Sequence, residues 1–563
     1  MQSLEKRWQV APRISPEAAQ NLSKYSPTFQ QILYNRGIAT QEEAQEFLAA
    51  EHTEYDPYDL SGMVAAVERI GQALSRQEHI VVYGDYDADG VTASALMVQT
   101  LQALQARVSC YIPNRFEEGY GLNPEALTKL KEEGADLVIT VDCGIRAIPQ
   151  AEHAREIGLD LVITDHHTPG ETLPQVAALI NPKQKGDRYP EKNLAGVGTA
   201  YKLACTLIDR FDPPGITPGH LIDLVAIGTV ADMVPLVGEN RSLVRRGLAA
   251  LRRPHRQGLH SLMEVAGIKA ERVTAMDLGF AIGPRINAAG RLADAMDAFN
   301  LLMTSDVHKA GQLVQALDNR NRERQNITRE IEKLSEEQAV EKDPHPYLLF
   351  SADPSFNPGV VGLAASRLAD KYYRPAVVAH QGDEFTRASC RSIPEFHITH
   401  ALEECADLLT HFGGHAAAAG FTVSNHNLSE LVARLTSDAK KQLAGQDLRP
   451  LLQIDAEVEL DDLNFGLLAE LDHLQPTGYG NASPLFASRE VRTVNYRTVG
   501  QENAHLKLTV VQGQYTFDAI AFKLGHWAEA MPPKIDLAYS FEINEFNGKK
   551  SLQLNIQDIK ASG

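Results

Sequence analysis

The residues with the clearest chemical potential lie in four short segments. The first, Tyr83-Gly84-Asp85-Tyr86-Asp87-Ala88-Asp89-Gly90, sets a carboxylate at every second position between an apolar run and a helical stretch. Three aspartates in one tight loop repel one another unless a cation neutralises them. Hard oxygen donors of this kind suit Mg²⁺ or Mn²⁺. Val141-Asp142-Cys143-Gly144 adds an acid directly after an apolar run. Thr164-Asp165-His166-His167 offers an imidazole ligand and a second group able to hold a phosphate, and Gly228-Thr229-Val230-Ala231-Asp232 adds a further carboxylate. Each segment alone also fits a solvated turn, a helix cap or a structural histidine pair. Together they supply five or six candidate ligands to one site. Two metal ions about 3.5–4 Å apart, bridged by a carboxylate and a water, would activate that water and polarise a phosphorus centre. Phosphoester hydrolysis is the natural chemistry. The chain has no GxxxxGK[ST] loop for ATP-driven work and no GxSxG nucleophile elbow.

The elements that must position these residues follow from the apolar pattern. His79 to Tyr83, Asp136 to Val141, Leu159 to Thr164 and Val176 to Ile180 read as strands, with helices between them such as Val91 to Leu104, Asn123 to Glu133 and Ile148 to Ile157. Strands without polar alternation, separated by helices, indicate a parallel sheet buried on both faces. Ligands in such sheets bind beyond the carboxyl ends of the strands, where these acids lie. Residues 200–303 read as mostly helical. Residues 312–340 lack Gly and Pro and place Leu313, Leu317, Ile327, Ile331 and Leu334 at helical spacing, which predicts a long connecting helix. A second α/β unit follows, with strands near Tyr347–Phe350 and Ala376–Ala379. Five short strands after residue 450 suggest a small barrel, with an oligonucleotide-binding (OB) fold the best match. The expected divisions are an N-terminal cap at 1–60 with a short helix over Gln41–Ala50, a first domain at 61–304, the connecting helix at 305–343, a second domain at 344–445 and the barrel at 446–563.

Length and composition bound the class. The chain has 563 residues, 44% hydrophobic and 23% charged, which supports several globular cores and excludes disorder as the main state. No apolar run reaches the roughly 18 residues of a membrane helix, and the start lacks a signal-peptide h-region, so a cytoplasmic protein with no membrane partner is expected. Five scattered cysteines form no CxxC pair. Lys plus Arg is 54 and Asp plus Glu is 73, a net charge of 54 − 73 = −19. That argues against non-specific coating of duplex DNA but not against a nucleic-acid enzyme, because bound divalent metals and local arginines reverse the field. The densest positive stretch, Arg241, Arg245, Arg246, Arg252, Arg253 and Arg256, reads first as a solvated helical face and second as a DNA approach. Phe116 and Tyr120 are candidates for stacking on bases.

The order of the acidic and histidine segments resembles the DHH phosphoesterase superfamily. Within it, Pro113-Asn114-Arg115-Phe116-Glu117-Glu118-Gly119-Tyr120-Gly121, Leu194-Ala195-Gly196-Val197-Gly198, Gly283-Pro284-Arg285-Ile286-Asn287-Ala288-Ala289-Gly290-Arg291 and Gly413-Gly414-His415 resemble the RecJ family of single-stranded-DNA-specific 5′-to-3′ exonucleases. Two departures are Cys143, where the motif commonly has Asn, and Cys390, where a Gly is usual. The resemblance implies two α/β domains (DHH and DHHA1-like) joined by a long helix around a cleft, plus a C-terminal OB-fold barrel. The cleft would admit one strand and exclude a duplex. It implies two Mn²⁺ or Mg²⁺ ions held by Asp85, Asp87, Asp89, Asp142, His166 and Asp232, with Asp142 as bridge and His167 on the scissile phosphate. It assigns Arg115, Ser389 and Arg391 to the 5′ phosphate, and Arg285, Asn287, Arg291, Gly414 and His415 to DNA. It implies a monomer working with single-stranded-DNA-binding protein and a RecQ-type helicase in recombination and repair. The alternatives are a DHH phosphodiesterase acting on short oligonucleotides or other small phosphates, and a non-catalytic replication scaffold of the same fold.

Overall fold

The computed structural model describes residues 4–49, 54–115, 118–119, 121–342, 346–546 and 549–562. The chain forms two compact units. The first comprises Glu42–Arg322 with His473–Ser483, and the second Met1–Gln41, Glu323–Asp472 and Pro484–Gly563. Strands are numbered along the chain, and β1 (Arg7–Val10) belongs to the second unit.

The first unit is built on a sheet of β2 (His79–Gly84), β3 (Arg107–Tyr111), β4 (Leu137–Val141), β5 (Asp160–Thr164) and β6 (Ala178–Ile180). Its order is β3-β2-β4-β5-β6 and all pairs are parallel. Successive residues of one strand face opposite sides, so a strand buried on both sides is apolar throughout. In β2, Ile80 and Val82 join the larger core with the helices, while Val81 and Tyr83 join a smaller core on the other face. The helix Ala88–Ala103 that follows β2 is buried around nearly its whole circumference. Helices Gly196–Phe211 and Ile222–Ala231 pack against it, as the apolar content of 200–303 led us to expect.

The second unit holds two further sheets. One has the order β10-β11-β9-β8-β7, with β7 (Leu349–Asp353) and β8 (Ala376–Gln381) parallel and β9 (Phe385–Arg391), β10 (Leu409–His415) and β11 (Ala418–Ser424) antiparallel. The Gly413-Gly414-His415 segment is thus the end of an edge strand in a hairpin. β12 (Leu451–Ile454) pairs with β1, so residues 1–41 pack on the C-terminal part of the chain. After the short β13 (Ala456–Glu457), the strands β14 (Phe486–Val499), β15 (His505–Gln512), β16 (Tyr515–Ala521), β17 (Lys534–Phe546) and β18 (Lys549–Ala561) close into a barrel through the β14–β17 pairing. The five strands read from the sequence all recur there. The long helix spans Val307–Lys342, a few residues beyond each end of the Gly- and Pro-free stretch.

The arginine-rich stretch departs from expectation. Arg241 is only 1% exposed and donates to the carbonyls of Leu474 at 2.5 Å, His473 at 2.9 Å, Pro476 at 3.2 Å and Phe47 at 3.3 Å. Its guanidinium also lies over the Phe47 ring. Arg245 donates to the carbonyls of Leu48 and Ala49, Arg246 pairs with Glu54, and buried Arg256 pairs with Asp223 at 2.9 Å. Arg241, Arg245 and Arg256 are internal clamps rather than a solvated face, because the forked guanidinium can satisfy several carbonyls that a loop leaves unpaired, whereas the Arg246 pair, Arg252 and Arg253 are at the surface as expected. Arg241 in particular fastens the segment His473–Ser483. Arg241→Ala removes four hydrogen bonds and leaves the Leu474 and Pro476 carbonyls to Asn481 alone, at a cost of about 3 kcal/mol. Chymotryptic cleavage after Tyr479, followed by mass spectrometry, should therefore run about a hundredfold faster than in the parent chain. Arg241→Lys should not restore protection, since a point ammonium lacks the fork.

Candidate active site

The acidic and histidine segments converge at the carboxyl ends of β2, β4 and β5, three adjacent strands. Asp85 directly follows β2, and Asp87 caps the following helix by accepting from the Asp89 and Gly90 amides at 2.9 and 3.1 Å. Asp89 is held by the first amides of the helix Gly196–Phe211, from Gly196 at 2.7 Å and Val197 at 2.8 Å. Asp142 follows β4 in a left-handed backbone conformation (φ 64°), which turns its carboxylate toward the other acids. Its Oδ1 lies 3.1 Å from His166 Nε2. His166 Nε2 is also 3.6 Å from Asp232 Oδ2 and 4.0 Å from Asp89 Oδ2. The packing leaves no slack: a Cβ on Gly196 would fall 2.4 Å from Asp142 Oδ1, and one on Gly228 would fall 2.7 Å from Asp89 Oδ1.

Three sets of potential ligand atoms cluster here: Asp85, Asp87 and Asp142; Asp89, His166 and Asp232; and Asp142, His166 and His167. All six expected metal ligands are among them, and Asp142 belongs to two sets. Burial and the neighbouring carboxylates push Asp85 and Asp142 well above the ordinary range. The same causes push Asp89 up to about 7 and Asp232 up to about 9. Burial, with the adjacent His167, pushes His166 down to about 3, which leaves its imidazole neutral and able to ligate. Asp85 Oδ1, Asp142 Oδ1 and His166 Nε2 are buried with no hydrogen-bond partner. Buried carboxylates that repel one another, with orphaned lone pairs beside a neutral imidazole, fit divalent cations.

The surrounding groups include residues that the sequence reading left unassigned. Asp165 accepts from the His166 and His167 amides, from His167 Nδ1 at 2.8 Å and from the Ile145 amide. Burial opposes its ionisation, but these bonds prevail and hold Asp165 below the usual value. Burial likewise opposes the charge on His167, and the Asp165 bond outweighs it and raises His167. Asn181, just after β6, donates to the His167 carbonyl at 2.9 Å. Lys183 is close enough to Asp232 to interact with its charge. The one available signal was position: each follows a strand of the same sheet.

The remaining expected residues divide into groups. Arg115 lies over the Tyr86 ring at 5.0 Å and acts electrostatically on Asp85. Phe116 and Tyr120 lie outside the described residues. Asn287 Oδ1 accepts from the Ala88 amide at 2.8 Å, so it braces the acidic loop. Arg285 pairs with buried Asp318 at 3.0 Å, and Arg291 acts electrostatically on Tyr86. In the second unit, Ser389 and Arg391 at the end of β9 flank the first turn of the helix Val361–Tyr372. A Cβ on Gly362 would lie 3.3 Å from Ser389 Oγ and 3.4 Å from Arg391 Nη2. The N-terminus of that helix has no side-chain cap, so its first amides, the guanidinium and the hydroxyl place hydrogen-bond donors side by side. Gly414 and His415 lie on the exposed edge of β10.

The raised carboxylates carry a sign for stability. A group whose folded value is raised contributes stability below its unfolded value, about 3.9, and loses it as pH rises through the folded value. For Asp89 and Asp232 that window runs up to about 7 and about 9. In EDTA, Asp232→Asn should therefore gain in Tm over the parent chain, by several degrees, as pH rises from 6 to 9. Mn²⁺ at about a hundred times its Kd should stabilise the parent chain by about 2.7 kcal/mol, and the variant by much less. Thermal unfolding across that pH series checks both.

Comparison with known proteins agrees with this geometry. Residues 79–229 match the model of the DHH family N-terminal domain, 345–443 the DHHA1 domain and 454–558 the RecJ OB domain. The chain is 39% identical to the single-stranded-DNA-specific exonuclease RecJ of Bacillus subtilis, over 99% of this chain and 71% of that one. It is 35% identical to the protein of the same name from Escherichia coli, over 99% and 100%. The crystal structure of RecJ in complex with Mn²⁺ from Thermus thermophilus superposes with a TM-score of 0.86 and 31% identity, covering 99% of this chain and 80% of that one. A barrel, two α/β folds and a DHH ligand cluster, matched end to end at this identity, place the chain in the RecJ family.

Proposed function

We propose that this chain is a metal-dependent exonuclease that removes mononucleotides from the 5′ end of single-stranded DNA in recombination and repair. The observation that carries the reading is the cluster of Asp85, Asp87, Asp89, Asp142 and His166 beyond the ends of adjacent parallel strands, joined by Asp232 from the end of the helix Ile222–Ala231. It occurs in a chain whose relatives bear that activity in their names. We assign Asp85, Asp87 and Asp142 to one Mn²⁺ or Mg²⁺ ion and Asp89, His166 and Asp232 to the other, with Asp142 shared. Bound there, the two ions would lower the pKa of a water and neutralise charge on the phosphoryl oxygens.

The chain's own residues supply the rest. Asp165 fixes the His167 tautomer through Nδ1 and keeps the ring cationic to a higher pH, so His167 offers positive charge to the scissile phosphate. The helix amides on Asp89 fix the orientation of that ligand. Asn287 and the Asp87 cap hold the acidic loop in shape. Ser389, Arg391 and the helix end beside them suit a terminal phosphate dianion, and Arg115 suits a phosphate near the acidic loop. We take residues 61–304, 344–445 and 446–563 as the three domains, linked by 305–343 and preceded by the segment 1–60. The family resemblance supports a cytoplasmic monomer acting with single-stranded-DNA-binding protein and a RecQ-type helicase. No helix among the described residues is long and apolar enough to cross a membrane.

Digestion of end-labelled single- and double-stranded DNA tests the reading. Mononucleotides should leave only the 5′ ends of the single strand, in Mn²⁺ or Mg²⁺ and not in EDTA. Asp142→Ala should abolish release while DNA binding survives. Release from 3′ ends, full activity in EDTA, or cleavage confined to very short oligonucleotides would refute it.

The anion pocket makes a separate prediction. Arg391→Ala should reduce kcat/KM on 5′-phosphorylated DNA by about ten- to a hundredfold, the worth of a charge-assisted bond of about 1.5–3 kcal/mol. The loss on 5′-hydroxyl DNA should be smaller. Equal losses on the two substrates would move Arg391 to general backbone contact.

A further inference from the structure

Of the six candidate ligands, Asp232 alone comes from the C-terminal end of a helix, and it is supported differently from the others. Backbone amides fix Asp87 and Asp89. Among the described residues no amide or hydroxyl donates to the Asp232 carboxylate, whose ion-pair partner is His166 Nε2 at 3.6 Å. Its place is therefore set by its backbone. The next residue, Met233, is held at a positive φ of 60°, a conformation that a methionine rarely adopts and that persists only where the surroundings impose it. Those surroundings include the strap His473–Ser483. The Leu236 amide donates to the Tyr479 carbonyl at 2.7 Å. Gly480, itself at φ 73°, lies so close to the same loop that a Cβ there would fall 2.8 Å from Pro235 Cβ and 3.1 Å from its Cα. Asn240 Nδ2 also holds the loop, by donating to the Pro235 carbonyl at 3.2 Å. The strap is stiffened in turn. Gly478 and Asn481 exchange backbone bonds of 2.9 and 3.1 Å, Asn481 Nδ2 donates to the Leu474 and Pro476 carbonyls, and Arg241 holds the same two carbonyls.

We propose that this strap fixes the loop after Asp232 and thereby completes the metal centre, with Gly480 and Arg241 as positioning residues. It rests on the reading of Asp232 as a metal ligand. The strap lies inside the stretch 454–558 that matches the RecJ OB domain, and the residues on either side of it, to Asp472 and from Pro484, belong to the second unit. The DHH match ends at residue 229, short of Asp232. A ligand of the catalytic cluster thus owes its position to chain that the C-terminal domain contributes, and metal affinity depends on that chain. The physical reason is the missing donor. A carboxylate without hydrogen bonds moves with its backbone, and release of Met233 to an ordinary negative φ would turn the peptide that follows Asp232. Asp232 would then draw away from Asp89 and His166, with which it forms one ligand set. Groups that orient a metal ligand without touching the metal change its affinity by about ten- to a hundredfold.

Mn²⁺ titration of the full chain, followed by the electron paramagnetic resonance signal of the free ion, tests this without any cleavage. The parent chain should take up two ions. Gly480→Ala forces the strap off Pro235 and should weaken one ion by about ten- to a hundredfold. Arg241→Ala loosens the strap without adding an atom and should weaken the same ion. If Gly480→Ala does not fold, Arg241→Ala carries the comparison. Gly513→Ala is the control. Gly513 has a similar φ of 59° in the turn between β15 and β16, with nothing within 4 Å of a Cβ, so this change brings the same backbone strain and should leave both affinities unchanged. The Asp232→Asn background identifies the ion. There either strap variant should cost nothing more, because the ligand it positions is gone, whereas in Asp85→Asn the full loss should remain. Parent-like affinities in a folded strap variant, an equal loss in Gly513→Ala, or a loss that persists in Asp232→Asn would overturn the role of the strap and leave it a purely structural element. Asp232→Asn that binds both ions as tightly as the parent chain would instead defeat the metal assignment of Asp232, and the role of the strap with it.

Discussion

Mutual repulsion among buried carboxylates is the constraint on which the rest of this structure depends. Asp85, Asp89, Asp142 and Asp232 are each pushed up by burial and by one another. A folded core does not gather such groups without a counterweight. The parallel sheet brings the acids together because β2, β4 and β5 are neighbours although their sequences are separated by helices. The surrounding helices then cover the site, and glycines at 196 and 228 let them approach the acids closely. Divalent cations supply the missing charge, so stability and chemistry draw on the same interaction.

Partly buried and buried polar groups around the cluster set orientation rather than charge. Asp165 illustrates this, since it accepts from two histidine amides and one ring nitrogen at once. Its own low value contrasts with the raised values of the acids a few ångströms away, and the difference lies in hydrogen bonding: Asp165 has donors and Asp142 Oδ1 has none. Asp165 is thereby committed to the imidazole, while the acids without donors keep lone pairs that could hold a cation. Ser389 and Arg391, in the second unit, meet at a helix N-terminus, where dipole and guanidinium place positive potential without a metal.

The arginines of the 241–256 stretch show how composition misleads. As letters they form a basic run. In the fold, Arg241, Arg245 and Arg256 turn inward to carbonyls and to Asp223, and Arg246 pairs with Glu54. The same inward use applies to Asn287, whose side chain caps the Ala88 amide. Polar residues in Gly-rich or helical segments satisfy the backbone first when a loop leaves carbonyls or amides unpaired.

Much of the architecture was legible in the sequence. Unbroken apolar runs between helices determined a parallel sheet buried on both faces, and the position of each acid just after a run determined that the ligands share its carboxyl edge. Five alternating segments determined the barrel, and the Gly- and Pro-free stretch determined the long helix. β9, β10 and β11 were not legible, because β10 is exposed and glycine-containing and carries almost no hydrophobic signal. The destination of residues 1–41 was hidden as well, since the pairing of β1 with β12 joins positions more than 400 residues apart. Which acids share a cluster, which aspartate orients a histidine and which arginines face inward were decided only by the tertiary structure. Local patterning reports periodicity along the chain, whereas electrostatic coupling and hydrogen bonding depend on distances that long-range packing alone creates.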